Sequence, residues 1–122
     1  MSLVARYHEA NGLPTVIIGS ARDIVEHCGV PRFLFSDFPL GNSAGRPFDK
    51  VSQAETLELA LRVLESAPGP RTTVQSPQRW SEDASWKLDY NDLSKLTPEK
   101  IAERRKEFDV IKDVARSRRE GT

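Results

Sequence analysis

The residues able to do chemistry in this chain fall in a few short clusters. The densest is "FPLGNSAGRPFD", residues 38 to 49, which holds two glycines, an amide and a guanidinium within a few positions of one another. Gly41 and Gly45 allow a positive φ or a close approach of backbone to a ligand. Asn42 can donate from its amide, and Arg46 supplies a cation for a carboxylate or a phosphate. Gly41, Asn42, Gly45 and Arg46 are therefore the candidate ligand-binding residues. The same stretch can equally be a plain turn, with Asp49 capping the helix that follows. It matches neither the dinucleotide fingerprint nor the phosphate loop, which needs Lys-Ser/Thr after its last glycine.

The remaining candidates carry less. Cys28 follows His27, and a thiol beside an imidazole can be a nucleophile. Adjacent residues on a helix do not face each other, however, so the pair makes no dyad and a structural Cys28 is expected. His8 and His27 lack metal-ligand spacing, and no metal site is expected. Asp23, Asp37 and Asp49 stand at element ends, where carboxylates commonly cap. Arg104, Arg105 and Lys106, with Arg116, Arg118 and Arg119, alternate with acids as on a solvated helix face. No catalytic residue and no cofactor is assigned from these.

The elements that must position the loop are legible from periodicity. Leu3, Val4 and Tyr7 at helical spacing, followed by Asn11-Gly12, predict a helix with a glycine stop, and it opens as the end of a longer helix would. "PTVIIGS" reads as a buried strand near 14 to 18, and "PRFLFSDF" as a second near 32 to 36. Between them Ser20 can cap a short helix near 21 to 28, with Ile24 and Val25 inward and Gly29 as its stop. Ser52 and Glu55 form a capping box for a helix near 52 to 66, in which Val51, Ala54, Leu57, Leu61 and Leu64 share a face. "PRTTVQS", 70 to 76, is a possible third strand. Thr97-Pro98 starts a last helix near 98 to 118, with a narrow apolar stripe of Ile101, Phe108, Ile111 and Ala115.

These readings give an α/β fold: a Rossmann-like βαβα unit with a small parallel sheet over 1–76, and an aromatic arm with a C-terminal amphipathic helix over 77–122. In open α/β sheets ligands sit beyond the carboxyl ends of the strands, which is the place of residues 39 to 49.

Composition bounds the function. At 122 residues the chain has the size of one domain, able to bury roughly two-thirds of its unfolded surface. Lys plus Arg and Asp plus Glu balance at 18 each, so no field draws nucleic acid or an anionic membrane. The single Cys excludes an internal disulfide and a multi-cysteine zinc site, and fits a reducing cytoplasm, the expected location. No apolar run approaches the roughly 20 residues that span a bilayer.

"GLPTVIIGSARDI" and "GVPRFLFSDFPLGNSAGRPFDKVSQAETLELALRVLES" resemble the C-terminal part of the selenoprotein B family of glycine, sarcosine and betaine reductases and D-proline reductase. The likeness covers roughly residues 3 to 67, and its specific match is Pro39, Leu40, Gly41 and Asn42. The resemblance implies an oxidoreductase of Rossmann-like architecture that cleaves a C–N bond of a small amino acid or amine reductively. The family's redox cysteine or selenocysteine lies in a loop ahead of the helix that precedes "GLP", and would fall upstream of Met1. Cys28 does not match its position. The chain is then expected to be a part or split subunit, inactive alone, that contributes substrate-binding groups. The alternative is a non-catalytic interaction or ligand-binding module that kept the fold.

Either way a partner is expected: a second subunit carrying the N-terminal half and the redox group, or a further copy forming a homo-oligomer. Two strands leave unpaired edges. The aromatics Trp80, Trp86 and Tyr90 and the stripe of the last helix have few partners in so small a core.

Overall fold

The computed structural model describes residues 1 to 90 and 96 to 120. The chain divides into two compact units, Met1–Ala84 and Ser85–Thr122.

The first unit runs α1 (Ser2–Ala10), β1 (Ile17–Gly19), α2 (Arg22–Cys28), β2 (Arg32–Phe35), α3 (Lys50–Ser66) and β3 (Thr72–Gln75). The strands form one parallel sheet in the order β1-β2-β3, with Ile18 opposite Leu34 and Leu34 opposite Val74. The expected parallel pairing is present, and "PRTTVQS" does supply a third strand. β1 starts three residues later than the β-branched run suggests. Glu9 accounts for this, because its Oε2 takes the Thr15 backbone N–H at 2.8 Å. That donor is unavailable to a ladder.

Leu34, fully buried, centres the core with Ala60 and Val63 of α3, and Val16, Ile18 and Leu59 pack around them. Successive strand side chains point to opposite faces, so Phe33 and Phe35 lie on the other side of the sheet, their rings 6.2 Å apart. A Cβ on Gly19 would come 2.9 Å from the Phe33 ring, so that glycine lets the ring pack against β1.

Four local expectations are corrected. The cap of α2 is Ala21, without a side-chain bond, and Ser20 does not cap it. Of its two apolar residues only Val25 turns inward, and Ile24 is exposed. The cap of α3 is Asp49, whose Oδ1 accepts the Ser52 N–H at 3.0 Å, so the helix starts two residues earlier than a box on Ser52 and Glu55 places it. The buried face of α3 is also different. It carries Ser52, Thr56, Ala60 and Val63, while Val51, Leu57 and Leu61 are 68%, 57% and 50% exposed.

Gln78 explains the choice of face. Its Oε1 accepts the Ser52 hydroxyl at 2.6 Å, and its Nε2 donates at 3.1 Å both to the Ser52 carbonyl and to Thr56 Oγ1. Buried polar groups are tolerated when hydrogen-bonded, and here a side chain 26 residues downstream supplies the bonds. The small residues then let α3 approach the sheet closely, and the leucine stripe is left outside.

Trp80 belongs to this unit, meeting Phe38 edge-on at 5.5 Å between ring centroids. It therefore has the intramolecular partner that the sequence did not foresee.

The second unit holds α4 (Ser85–Tyr90) and α5 (Pro98–Glu120). Thr97 caps α5, its Oγ1 accepting the Lys100 N–H at 3.3 Å. Ile101, Phe108, Ile111 and Ala115 are all exposed. The side chain of Tyr90 and the residues Gly121 and Thr122 lie outside the described residues. No helix among the described residues is long and apolar enough to cross a membrane.

One ion pair fastens α1 to the sheet: Arg32 Nη1 donates to Glu9 Oε1 at 2.7 Å. The hydrogen bond from Arg32 holds the Glu9 carboxyl below its ordinary range, opposed by desolvation and aided by the Thr15 N–H and the Arg32 charge. A carboxyl depressed on folding adds stability that is complete above its unfolded pKa and is lost as the pH falls through the folded one. Urea midpoints are therefore expected to drop as the pH is lowered through and below the ordinary glutamate range, and Glu9→Gln should flatten that drop. An unchanged pH profile in Glu9→Gln would show that the pair contributes nothing.

Candidate functional site

Because the strands are parallel, all three end on the same edge of the sheet, and each is followed by a serine: Ser20, Ser36 and Ser76. The ladder continues through them, with the Ser36 N–H donating to the Gly19 carbonyl at 2.9 Å and the Ser76 N–H to the Phe35 carbonyl at 2.8 Å. Three hydroxyl-bearing residues thus stand in a row across the carboxyl edge. Ile18 and Leu34 reach the α3 side, so by the two-residue period Ser20 and Ser36 are directed to that side as well. Ser76 Oγ accepts the Gln78 N–H at 3.3 Å. The hydroxyls of Ser20 and Ser36 are buried with no hydrogen-bond partner among the described residues, and Ser36 is only 1% exposed. Leaving a buried hydroxyl unpaired costs about 1–3 kcal/mol.

A cleft borders the loop that follows β2, and neither Ser20 nor Ser36 is among its lining residues. Residues 39 to 47 and the first two turns of α3 enclose about 480 Å³ against Ile18, with Gly41, Asn42, Gly45, Gln53 and Thr56 among the lining residues. Ala44, Pro47 and Leu57 give it apolar walls. It opens beyond the carboxyl ends of the strands, where open parallel sheets place their ligands.

The loop is built in two parts. A β-turn comes first: the Asn42 N–H donates to the Pro39 carbonyl at 3.1 Å, and Gly41 at the third position has φ +90°, as a type II turn requires. The Asn42 amide nitrogen also reaches the Pro39 carbonyl, at 3.4 Å, which leaves its oxygen and second N–H for a ligand. The second part is a close approach to α3. Gly45 is buried with φ +105°, and a Cβ there would lie 2.8 Å from the Gln53 backbone. Ser52 Oγ accepts the Arg46 N–H at 3.1 Å, and the Gln53 amide donates to the Arg46 carbonyl at 3.0 Å. Phe48 completes the loop at φ 59° with its ring fully exposed. A bulky residue held at positive φ costs roughly 1–3 kcal/mol and is commonest where structure serves a site.

Of the four candidate ligand residues, Gly41, Asn42 and Gly45 are brought together in the lining of the cleft. The Arg46 side chain is half-exposed and pairs with Asp49 Oδ2 at 3.2 Å, across the base of the loop. Asp49 is at once the helix cap and the partner of Arg46.

Gln53 and Thr56 escaped the sequence reading, and Ser20 was read only as a helix cap; for the strand-end serines a signal was present, since "IIGS", "FLFS" and "TVQS" each close an apolar or β-branched run with serine. Cys28 ends α2, which starts at the carboxyl edge after β1 and ends where Arg32 opens β2, so the thiol stands at the opposite edge from the cleft. It is exposed, so it fills no core position and the structural role expected of it is not found. No group of His, Cys, Asp and Glu able to hold a metal ion occurs among the described residues.

Neither a family model, nor a curated protein, nor a solved structure matches this chain.

Proposed function

We propose that the first unit is a Rossmann-like substrate-binding wall of a selenoprotein B-like reductase, which takes a small amino acid or amine into the carboxyl-edge cleft. The observation that carries the reading is that Gly41, Asn42 and Gly45, from the stretch with the family resemblance, line a cleft beyond the strand ends. The amides of Asn42 and Gln53, both in the cleft lining, would hold the polar groups of the ligand. Ile18, Ala44 and Leu57 would accept its methylene or methyl groups. Reductive C–N cleavage needs a thiol or selenol at the cleft, and Cys28 stands at the other edge. The redox group is therefore proposed to come from a partner subunit, and the exposed Val51, Leu57 and Leu61 of α3 and the stripe of α5 offer surfaces for it or for a second copy.

Titration calorimetry of glycine, sarcosine, betaine and D-proline into the full chain tests the reading. One of the four is expected to bind weakly, and Asn42→Ala should weaken it by about tenfold, the value of one hydrogen bond. Asn42→Ala with Arg46→Ala, which also frees the base of the loop from Asp49, should weaken it further. Binding that the double variant leaves unchanged would reduce residues 39 to 49 to a plain turn, and no binding of any of the four would leave the non-catalytic module.

A further inference from the structure

We propose that the amino edge of the sheet carries a second binding site, for the phosphate group of a small phosphate monoester, formed by Arg6, Arg32 and Arg71. The site is independent of the carboxyl-edge cleft and of the reading given to it. The three arginines come from α1, the first residue of β2 and the residue before β3, and line a cleft of about 520 Å³ with Glu9, Val30 and Pro70. Parallel topology brings Arg32 and Arg71 together, since β2 and β3 start at the same edge, and the Glu9–Arg32 pair holds α1 with Arg6 beside them.

The charge in the cleft is not balanced. Glu9 is its one lining carboxylate, and both its oxygens are engaged, one by Arg32 and one by the Thr15 N–H. Arg6 and Arg71 are in no ion pair among the described residues. Two guanidinium charges are thus left over in a chain whose formal net charge is zero. Arg32 also keeps a buried Nε–H with no acceptor.

Backbone geometry holds Arg71 in place. Its φ is +59°, a conformation that glycine adopts freely and an arginine does not. Its guanidinium lies against Gly29, where a Cβ would come 3.1 Å from Arg71 Nη2. Gly29 itself has φ +71°. Two unusual conformations therefore converge on one cation that is in no ion pair among the described residues, with Glu26 lining the adjoining cleft.

Guanidinium forks match the oxygens of phosphate in pairs, and a phosphate monoester carries about −1.5 to −2 charges at neutral pH, against the two left over here. A monocarboxylate would compensate only one. Val30, Pro31 and Pro70 give the cleft apolar surface for the carbon skeleton of the ester.

The probe is inorganic phosphate, titrated at constant ionic strength into the full chain and followed by amide chemical shifts. Saturable shifts are expected at Gly29, Val30, Gly69 and Arg71, with Gly41 and Gly45 unmoved. Arg71→Gly keeps the backbone at ease with its φ, so the melting temperature should hold or rise while phosphate affinity falls at least tenfold. Arg6→Ala, at an exposed helical position with no ion pair to lose, should weaken phosphate in the same direction without touching the fold. The proposal is overturned if the shifts do not saturate, if acetate reproduces them, or if both variants bind phosphate as the parent chain does.

Discussion

Gly45→Ala should lose about 3 kcal/mol of folding stability, the sum of a left-handed φ on a residue with a Cβ and of a methyl forced into backbone. The atoms it would meet, Gln53 Cα and N at 2.8 Å and Ser52 C at 2.9 Å, belong to the α3 backbone and cannot swing away. The loop or the helix must move, and with it the lining of the cleft. Gly41→Ala is the control. It shares the positive φ, at +90°, but has open space around the missing Cβ, so only the conformational cost of about 1 kcal/mol is expected. Urea unfolding of both variants reads the difference directly, as a shift in midpoint at unchanged slope. Equal losses would mean that the loop does not rest on the helix.

Leu34→Ala should cost a similar amount, about 3 kcal/mol within the 2–5 expected for a buried leucine. Leu34 is fully buried between the neighbouring strands and the Ala60 and Val63 side of α3. Few large side chains join helix and sheet here. The polar half of the interface, Ser52 and Thr56 with Gln78, contributes hydrogen bonds but little apolar area. Deleting the one leucine at the centre therefore takes a large share of a stability that for such a domain amounts to about 5–15 kcal/mol. Chemical denaturation checks this, and a loss below about 1 kcal/mol would show that the core lies elsewhere.

The strands were legible because β-branched and aromatic runs ended at glycine or proline, and the parallel pairing followed from the helices between them. α5 was legible from Thr97-Pro98. The buried face of α3 was not. Its leucines made the stronger periodic signal, yet the sheet took the face with Ser52, Thr56, Ala60 and Val63, because Gln78 satisfies the hydroxyls from a distance that no local pattern reveals. Asp49 could be read as a cap, but its pairing with Arg46, which takes that cation out of the cleft lining, could not. Three arginines at positions 6, 32 and 71 have no common motif, and only the shared starting edge of β2 and β3, with the Glu9–Arg32 pair, makes them neighbours.

The most direct measurement is an amide chemical-shift map of the full chain titrated with glycine, sarcosine, betaine and D-proline in turn. A ligand held at the carboxyl edge should move Gly41, Asn42, Ala44, Gly45, Gln53 and Thr56 together and saturably, and leave Gly29 and Arg71 still. Shifts confined to the amino edge, or none at the carboxyl edge with any of the four, would contradict it.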